Sequence, residues 1–374
     1  MSKILKLPTG ISACLIVKDE EEMLPRCLES IKGAVDEIIV VDTGSTDKTV
    51  DIATNYLAKV FHYEWQDDFS AARNFAIEQA SGEYVLIIDA DEELAPESRA
   101  GLQAWAKRGL GAYAIHIFNK KPDGWGMTQS PRLFKRDVIH YEGIIHNNPI
   151  IDGEVVLSDL KLYHYGYNLS PEKMEAKYAR SERLMLKAIQ EKPTARLYQH
   201  LIRLYRATGK HVELELAVGE YKKDFMGDET PSMAARNQMI AVDYAYAMIM
   251  QDRFDAAIEE LINLLDKYPC NIDASYYAGM AFMRRGEHFK ALTYFRLYLT
   301  WMEQRKARLS PTALIIDTWG SVAQAHKLMG DCHARLGKLD RAHEAYFCAY
   351  VLDPCKAYGE PMANNMNKIE LLRY

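Results

Sequence analysis

Cysteine is scarce. The 374 residues hold six, at positions 14, 27, 270, 332, 348 and 355, with no C-x-x-C pair among them. So few thiols exclude a disulfide framework in a chain this long and fit reduced, mostly buried cysteines in a cytosolic protein. Long apolar runs are missing too. No segment approaches the roughly 18–20 residues that span a bilayer, so no transmembrane segment is expected and the cytoplasm is the expected location, with the inner face of the membrane reached through partners. The start, MSKILKLPTGISACLIV, has only a short apolar stretch and runs into KDEEE without a cleavage-like sequence, so it reads as a first strand, not a signal peptide. Charge of one sign is not in excess: the formal net charge is −6, which speaks against nucleic acid or an anionic lipid surface as partner. The first strand is not followed by G-x-G-x-x-G, which excludes a standard dinucleotide site.

What is present is ordinary globular composition, 48% hydrophobic and 26% charged, over a length that suits two or three domains, each able to bury its own core. The first half alternates. ISACLIV (11–17), DEIIVVDTGS (36–45), AKVFHYEW and EYVLIIDADEE read as strands. EEEMLPRCLESI (20–31), TDKTVDIATNYL (46–57, with Ser45 or Thr46 as N-cap) and DDFSAARNFAIEQA (67–80) read as helices. This order predicts a largely parallel sheet covered by helices. Residues 112–166 are β-rich, with KPDGWG as a turn, and from Pro171 onward the pattern is helical.

The helical part repeats. Gly279, Phe282, Gly286, Ala291, Phe295 and Tyr298 recur at the same offsets as Gly330, His333, Gly337, Ala342, Tyr346 and Ala349, the latter followed by Pro354. A third copy runs through Ala245, Met248, Ala257, Leu261, Leu264 and Pro269, and a weaker one uses Tyr205, Gly209, Leu214 and Val218. The pattern resembles the tetratricopeptide repeat. Ala257 and Ala291 stand one period of about 34 residues apart, and an insertion containing EQRKARLSPTALIID separates the last two copies. The expected organisation is an α/β domain over 1–170 and a helical repeat domain over 171–374. Such arrays present surfaces for peptides or partner domains, or serve as a packing platform.

The chemistry concentrates where strands end: Lys18-Asp19-Glu20, Asp42-Thr43-Gly44 and Asp89-Ala90-Asp91. In open α/β sheets ligands bind at the carboxyl ends of the strands. Carboxylates gathered there repel one another, and a hard divalent cation, Mg²⁺ or Mn²⁺, would turn the repulsion into attraction.

These pieces in this order (SACLIVKDEEEMLPRCLESI, DEIIVVDTGSTDKTVDIA, DDFSAARNFAIEQASGEYVLIIDADEEL and YHYGY) resemble the family 2 glycosyltransferases of the GT-A fold, over about residues 10–170. The resemblance implies a nucleotide-sugar donor, a UDP-sugar, and transfer of a hexose or N-acetylhexosamine with inversion. It implies that Asp42 contacts the nucleoside, that Asp89 lies near ribose and metal, and that Asp91 ligates the Mn²⁺ or Mg²⁺ bridging the diphosphate. Lys18 and Glu20 share that edge. Arg73 and Asn74 fall in a segment that lies against the donor, Arg73 on a phosphate or an acidic partner. Asp68 orients Arg73 or a sugar hydroxyl, or caps a helix. His164 is a further metal ligand or a phosphate contact. On the acceptor side, relatives often read His-Glu where this chain has His146-Asn147, so the general base falls to Glu142, His146 or Asp152, with Glu142 and His146 put forward as catalytic beside Asp91. Arg132 steadies the acceptor loop or a phosphate, and Trp125 stacks on a sugar or anchors its loop.

Three functions compete at this level. One is transfer to a protein presented by the repeats. Another is transfer to a cell-envelope polysaccharide or lipid-linked glycan, with the repeats holding a partner protein. The last is a non-catalytic scaffold with a decayed transferase domain, for which the absent Glu after His146 is the support. A nucleotidyltransferase is excluded by KDEEE in the place of its basic, glycine-rich loop.

Overall fold

The structure is a computed structural model that describes residues 10–121, 124–145, 147–166, 170–227, 230–307, 318 and 320–353. The chain divides into two compact units, Met1–Lys192 and Pro193–Tyr374. Together they form the expected architecture, an α/β sheet domain followed by a helical repeat array.

In the first unit, strand β1 (Ile11–Val17), helix α1 (Leu24–Ile31), β2 (Glu37–Asp42), α2 (Thr49–Asn55), β3 (Lys59–His62), α3 (Phe69–Gln79) and β4 (Tyr84–Ile87) alternate. The four strands are parallel to one another. There follow β5 (Glu92–Leu94), α4 (Arg99–Ala106), β6 (Ala112–Lys121), β7 (Gly124–Lys135), β8 (Ile139–Glu142), β9 (Asn148–Ile151), β10 (Val155–His164) and α5 (Pro171–Glu191). The eight-stranded sheet has the order β3-β2-β1-β4-β7-β6-β10-β5, and β8 and β9 form a separate hairpin. β1 and β4 are apolar and almost wholly buried, as strands covered on both faces must be. The chain runs from β1 to one side through β2 and β3, then crosses back to set β4 on the other side. The crevice beyond the ends of β1 and β4 is therefore the place where such sheets bind ligands.

Three boundaries differ from the sequence reading. EYVLIIDADEEL is not one strand. β4 stops at Ile87, the chain turns on a bond from Glu92 N to Asp89 O (2.9 Å), and β5 leaves to pair antiparallel with β10. Helix α1 begins at Leu24 rather than at residue 20, because Pro25 suits only a helix's first turn. Neither Ser45 nor Thr46 caps α2. Their groups bind Asp19 of the neighbouring loop, and Asp47 Oδ1 accepts from Thr49 N at 2.9 Å.

The second unit contains, among the described residues, four helix pairs: α6 (Ala195–Ala207) with α7 (His211–Phe225), α8 (Pro231–Met250) with α9 (Phe254–Lys267), α10 (Ile272–Arg284) with α11 (His288–Ala307), and α12 (Val322–Arg335) with α13 (Leu339–Leu352). Equivalence shows at the turns. Gly209, Asp252, Gly286 and Gly337 all have positive φ. Each is followed by the same closing bond, Lys210 N to Tyr205 O, Arg253 N to Met248 O, Glu287 N to Phe282 O and Lys338 N to His333 O. The weak first copy is thus a full repeat. Within pairs, an aromatic of the second helix packs on a glycine of the first: a Cβ at Gly279 would stand 2.7 Å from the Phe295 ring, and one at Gly330 2.4 Å from the Tyr346 ring. Pro354 and most of the inserted segment lie outside the described residues. Thr318, beyond it, is buried and binds Asp273 Oδ1 through both its N–H and its hydroxyl.

Gly330→Ala forces the Tyr346 ring off its site. The variant is expected to lose about 1–3 kcal/mol, the usual range for overpacking, read as a lower midpoint in urea denaturation.

A candidate donor site at the strand ends

The turn after β4 is held from below by Glu92. Its side chain is 2% exposed, Oε2 accepts the Asp89 N–H at 2.9 Å, and Oε1 accepts Arg132 Nη2 at 2.7 Å. Arg132 comes from β7 and also reaches Asp89 Oδ2 (3.4 Å). Arg73, from α3, donates to Asp89 Oδ1 at 2.6 Å. Burial acts against the Asp89 carboxylate, but these two guanidinium groups outweigh it and hold its pKa well below the ordinary range. Glu92 moves the other way. Burial and the nearby Asp89 and Asp91 charges outweigh Arg132 and push its carboxyl up. Sequence reasoning offered Arg73 a phosphate or an acidic partner, and the structure places it on Asp89; it set Arg132 on the acceptor loop or a phosphate, and here that residue binds Glu92 and Asp89.

Asp91 faces a different partner. Its Oδ2 lies 3.2 Å from Nε2 of His164, the last residue of β10. Nδ1 of that ring is 2.9 Å from Asn119 Oδ1 on β6, and Asn119 Nδ2 donates to Thr128 Oγ1 (3.2 Å). Asn119 Nδ2 also donates to the Ile117 carbonyl (3.4 Å), which can only accept and so turns the amide oxygen towards His164. Nδ1–H then donates to Oδ1, and Nε2 faces Asp91 Oδ2. Burial, which lowers the imidazole's pKa, is outweighed by that carboxylate, which raises it. Gly166 packs on this pair: a Cβ there would stand 1.9 Å from Asp91 Oδ2 and 2.8 Å from His164 Nε2.

Do these residues fit a divalent cation? An ion with octahedral bonds of about 2.1 Å sets neighbouring donor atoms about 3 Å apart, and Asp91 Oδ2 and His164 Nε2 are at that spacing. An outer hydrogen bond on the histidine is the usual support for such a ligand. Asp89 differs, since its oxygens already face guanidinium groups. No group of three His, Cys, Asp or Glu is gathered in ligating positions among the described residues. The pair fits as part of a coordination shell that a substrate would complete.

Glu20 joins the cluster from the loop after β1. Burial, then the charge of Asp91, raises its carboxyl to about 7, with Lys177 and Arg180 pulling the other way. Lys18 is exposed beside it. Asp42 is 3% exposed and committed to its own turn: it accepts from Ser45 N (3.0 Å) and Gly44 N (3.3 Å) and lies against His62 Nδ1 (3.2 Å). Asp68 caps α3, accepting from Ala71 N at 3.0 Å. Asn74 binds both backbone groups of Tyr141 on β8, Nδ2 to O (3.0 Å) and Oδ1 from N (2.8 Å). Phe69 N and Ser70 Oγ bind the carbonyls of Ile144 and Gly143, so α3, which carries Arg73, is fastened to the end of this hairpin. On β8 the buried residues are Ile139 and Tyr141, and the Tyr141 ring lies 5.6 Å from the Arg73 guanidinium carbon. Neighbouring residues on a strand face opposite ways. Glu142 is accordingly exposed and paired with His140 (3.1 Å), away from the Asp89 cluster. Asp152 is exposed in the turn after β9. His146 and the Trp125 side chain lie outside the described residues.

The sequence reading missed Asn119, Tyr141 and Gly166, and gave Glu92 no role. Glu92 carries a signal, a third acid at the end of an apolar strand. Gly166 carries one too, inside YHYGY. Asn119 and Tyr141 carry none.

Comparison with known proteins gives the following. Residues 12–155 match the family Glycosyl transferase family 2. A TPR repeat-containing protein of Synechococcus elongatus is 56% identical over 97 residues, 26% of this chain and 23% of that protein. The SPbeta prophage-derived glycosyltransferase SunS of Bacillus subtilis is 32% identical over 194 residues, 49% of this chain and 46% of the relative. The chain thus spans from about a quarter to about half of the length of these relatives. Among solved structures, S. aureus TarS 1-349 aligns over 82% of this chain and 94% of its own, at 17% identity and a TM-score of 0.34. No helix among the described residues is long and apolar enough to cross a membrane.

Arg132→Met leaves Glu92 buried without its counter-charge. We expect a loss of about 3–5 kcal/mol in chemical denaturation. The Glu20 carboxyl has its folded pKa near 7, above the ordinary 4.5. Without cation, its contribution therefore turns unfavourable as pH rises from about 4.5 to about 7 and stays so above. Glu20→Gln should match wild type in Tm at pH 4 and exceed it by about 2–4 °C at pH 8.

Proposed function

With residues 12–155 forming a glycosyl transferase family 2 domain, we propose that the protein is a metal-dependent glycosyltransferase. In this reading it takes a hexose or N-acetylhexosamine from a UDP-sugar and passes it, with inversion, to a protein acceptor recruited by the helical repeats. The observation that carries the reading is the Asp91–His164 pair, backed by Asn119 and closed by Gly166, at the crevice where the sheet changes direction.

Asp91 and His164 are assigned to the cation directly. Bound there, Mn²⁺ or Mg²⁺ would neutralise charge on the departing nucleoside diphosphate. Asp89 is assigned to the donor side of the site, fixed in place by Arg73 and Arg132 so that it faces the ligand without rotating. Asp42 holds the β2 turn, with Gly44 at φ 104°, in the shape that meets the nucleoside. Glu142 is not assigned as the base, because it faces away from the cluster. A scaffold that had lost catalysis would have no use for so many charges in a crevice, since buried ionic groups are commonly neutral or worse for stability. Protein as the acceptor class is supported by the repeat array, since such arrays commonly bind polypeptide.

Asp91→Ala should abolish Mn²⁺-dependent turnover of UDP-sugars, hydrolysis and transfer alike, with a melting temperature close to wild type. Asn119→Ala should weaken Mn²⁺ binding about 10–100-fold, read by the electron paramagnetic resonance of free manganese. Full turnover by the Asp91 variant would contradict the reading.

A further inference from the structure

The helix pairs of the second unit set their first helices side by side. Arg206 of α6 shows the alignment, because its guanidinium binds both Asp243 of α8 and the Tyr277 hydroxyl of α10. The guanidinium carbon lies 4.5 Å from the Tyr246 ring and 5.1 Å from the Tyr277 ring. Asp243 is buried, so the middle of this face holds a cation already matched by an acid and by aromatic rings. Elsewhere in the unit Arg253, Arg284 and Arg285 also sit against carboxylates, those of Glu215, Asp252 and Asp255.

Towards the starts of α6 and α8 the balance changes. Gln199 of α6 accepts Arg236 Nε of α8 through Oε1 at 2.8 Å. Arg236 Nη1 lies 3.1 Å from the Met233 sulfur, and Gln199 Nε2 lies 3.5 Å from the Met239 sulfur. These partners are all neutral. Arg196 precedes Gln199 by three residues, on the same side of the helix, and is open to solvent. Among the described residues neither Arg196 nor Arg236 meets a carboxylate. They act on each other instead: partial desolvation, then the charge of Arg236, lowers the Arg196 pKa. The first turns of α6 and α8 carry no acid either, whereas those of α7, α9 and α10 carry Glu213, Asp255 and Asp273.

Two like charges held near each other without an acid repel, and an anionic ligand removes that repulsion. The flanking groups say what kind of ligand fits. Gln199 Nε2 rests on a thioether, a weak acceptor, and gains by turning to a backbone carbonyl. Met239 supplies an adaptable apolar contact. Carboxylate, amide and apolar contacts in one stretch are those of a peptide chain. A densely charged polyanion is disfavoured by the chain's net charge of −6. We propose that Arg196 and Arg236, with Gln199 and Met239 beside them, bind an acidic segment of the polypeptide acceptor. The proposal rests on the reading of the repeats as recruiting a protein, and it deepens that reading by naming the chemistry they select.

The test is fluorescence anisotropy of a labelled alternating Glu-Gly peptide on the full chain, with a labelled Gln-Gly peptide and labelled polyphosphate as comparisons. Wild type, Arg196→Gln, Arg236→Gln and Arg335→Gln, the last an exposed arginine of α12, are measured side by side. Mn²⁺-dependent release of UDP from UDP-sugars is read on the same samples. We expect the Glu-Gly peptide to bind and the Gln-Gly peptide not to. Arg196→Gln and Arg236→Gln should each weaken the Glu-Gly peptide about three- to tenfold, the span between an exposed ion pair and a charge-assisted hydrogen bond. Arg335→Gln should leave it unchanged, and all the variants should release UDP as wild type does. Arg196 makes no hydrogen bond among the described residues, so its variant should fold even if replacing Arg236 disturbs Gln199. No binding of the Glu-Gly peptide by wild type, unchanged affinity in Arg196→Gln, an equal loss in Arg335→Gln, or tighter binding of polyphosphate would each overturn the proposal and leave the transferase reading standing. Wild type that releases no UDP would overturn that reading and the acceptor role with it.

Discussion

Everything in the crevice depends on how one carboxylate is compensated. Asp89 sits at the end of a buried strand with guanidinium groups on both sides, Arg73 at 2.6 Å and Arg132 at 3.4 Å. Arg132 also binds Glu92, which in turn binds the Asp89 backbone. The result is a closed network in which α3, the turn after β4, β5 and β7 each contribute one member. Removing Arg132 leaves Glu92 without its counter-charge, and removing Asp89 leaves Arg73 without its own; breaking such a buried pair costs far more than the pair itself contributes. Stability and site geometry are therefore coupled: the groups that fix the turn after β4 are the groups that make the turn affordable.

That arrangement divides labour between adjacent acids. Asp89 is neutralised by the protein and is rigid. Asp91, two residues on, faces His164 instead of a guanidinium group. The turn between them sets their side chains in different surroundings, and β5 then carries the chain away to β10, bringing Glu92 into register with His164. His164 is in register with Asn119 on β6 as well, so the histidine is positioned by two strand pairings before any ligand arrives. Preorganisation of this kind keeps the cost of assembling a coordination shell low.

The sequence made the first unit's parallel strands and intervening helices legible, because four apolar runs alternate with helical spacing and each ends in polar residues. It made the repeats legible because glycines recur where two helices touch. It exposed the acids, which are contiguous in the chain. Of their partners it suggested Arg73 alone, which is near in the chain. Arg132 is 43 positions from Asp89, and Asn119 is 45 from His164; no local pattern announces a pairing at such separation. The split of EYVLIIDADEEL into two strands was hidden for the same reason, since β5 is defined by β10 rather than by its own three residues. The facing of Glu142 depends on which side of a short hairpin is buried, and apolar content alone does not fix that for a four-residue strand.

The central claim is that a divalent cation carrying a nucleoside diphosphate sits against Asp91 and His164. Crystals grown with Mn²⁺ and UDP, measured at the manganese absorption edge, test it most directly. The account predicts an anomalous peak within bonding distance of an Asp91 carboxylate oxygen and of His164 Nε2, with phosphate oxygens completing the shell. Ordered UDP bound elsewhere on the protein, with no manganese at this pair, would contradict it.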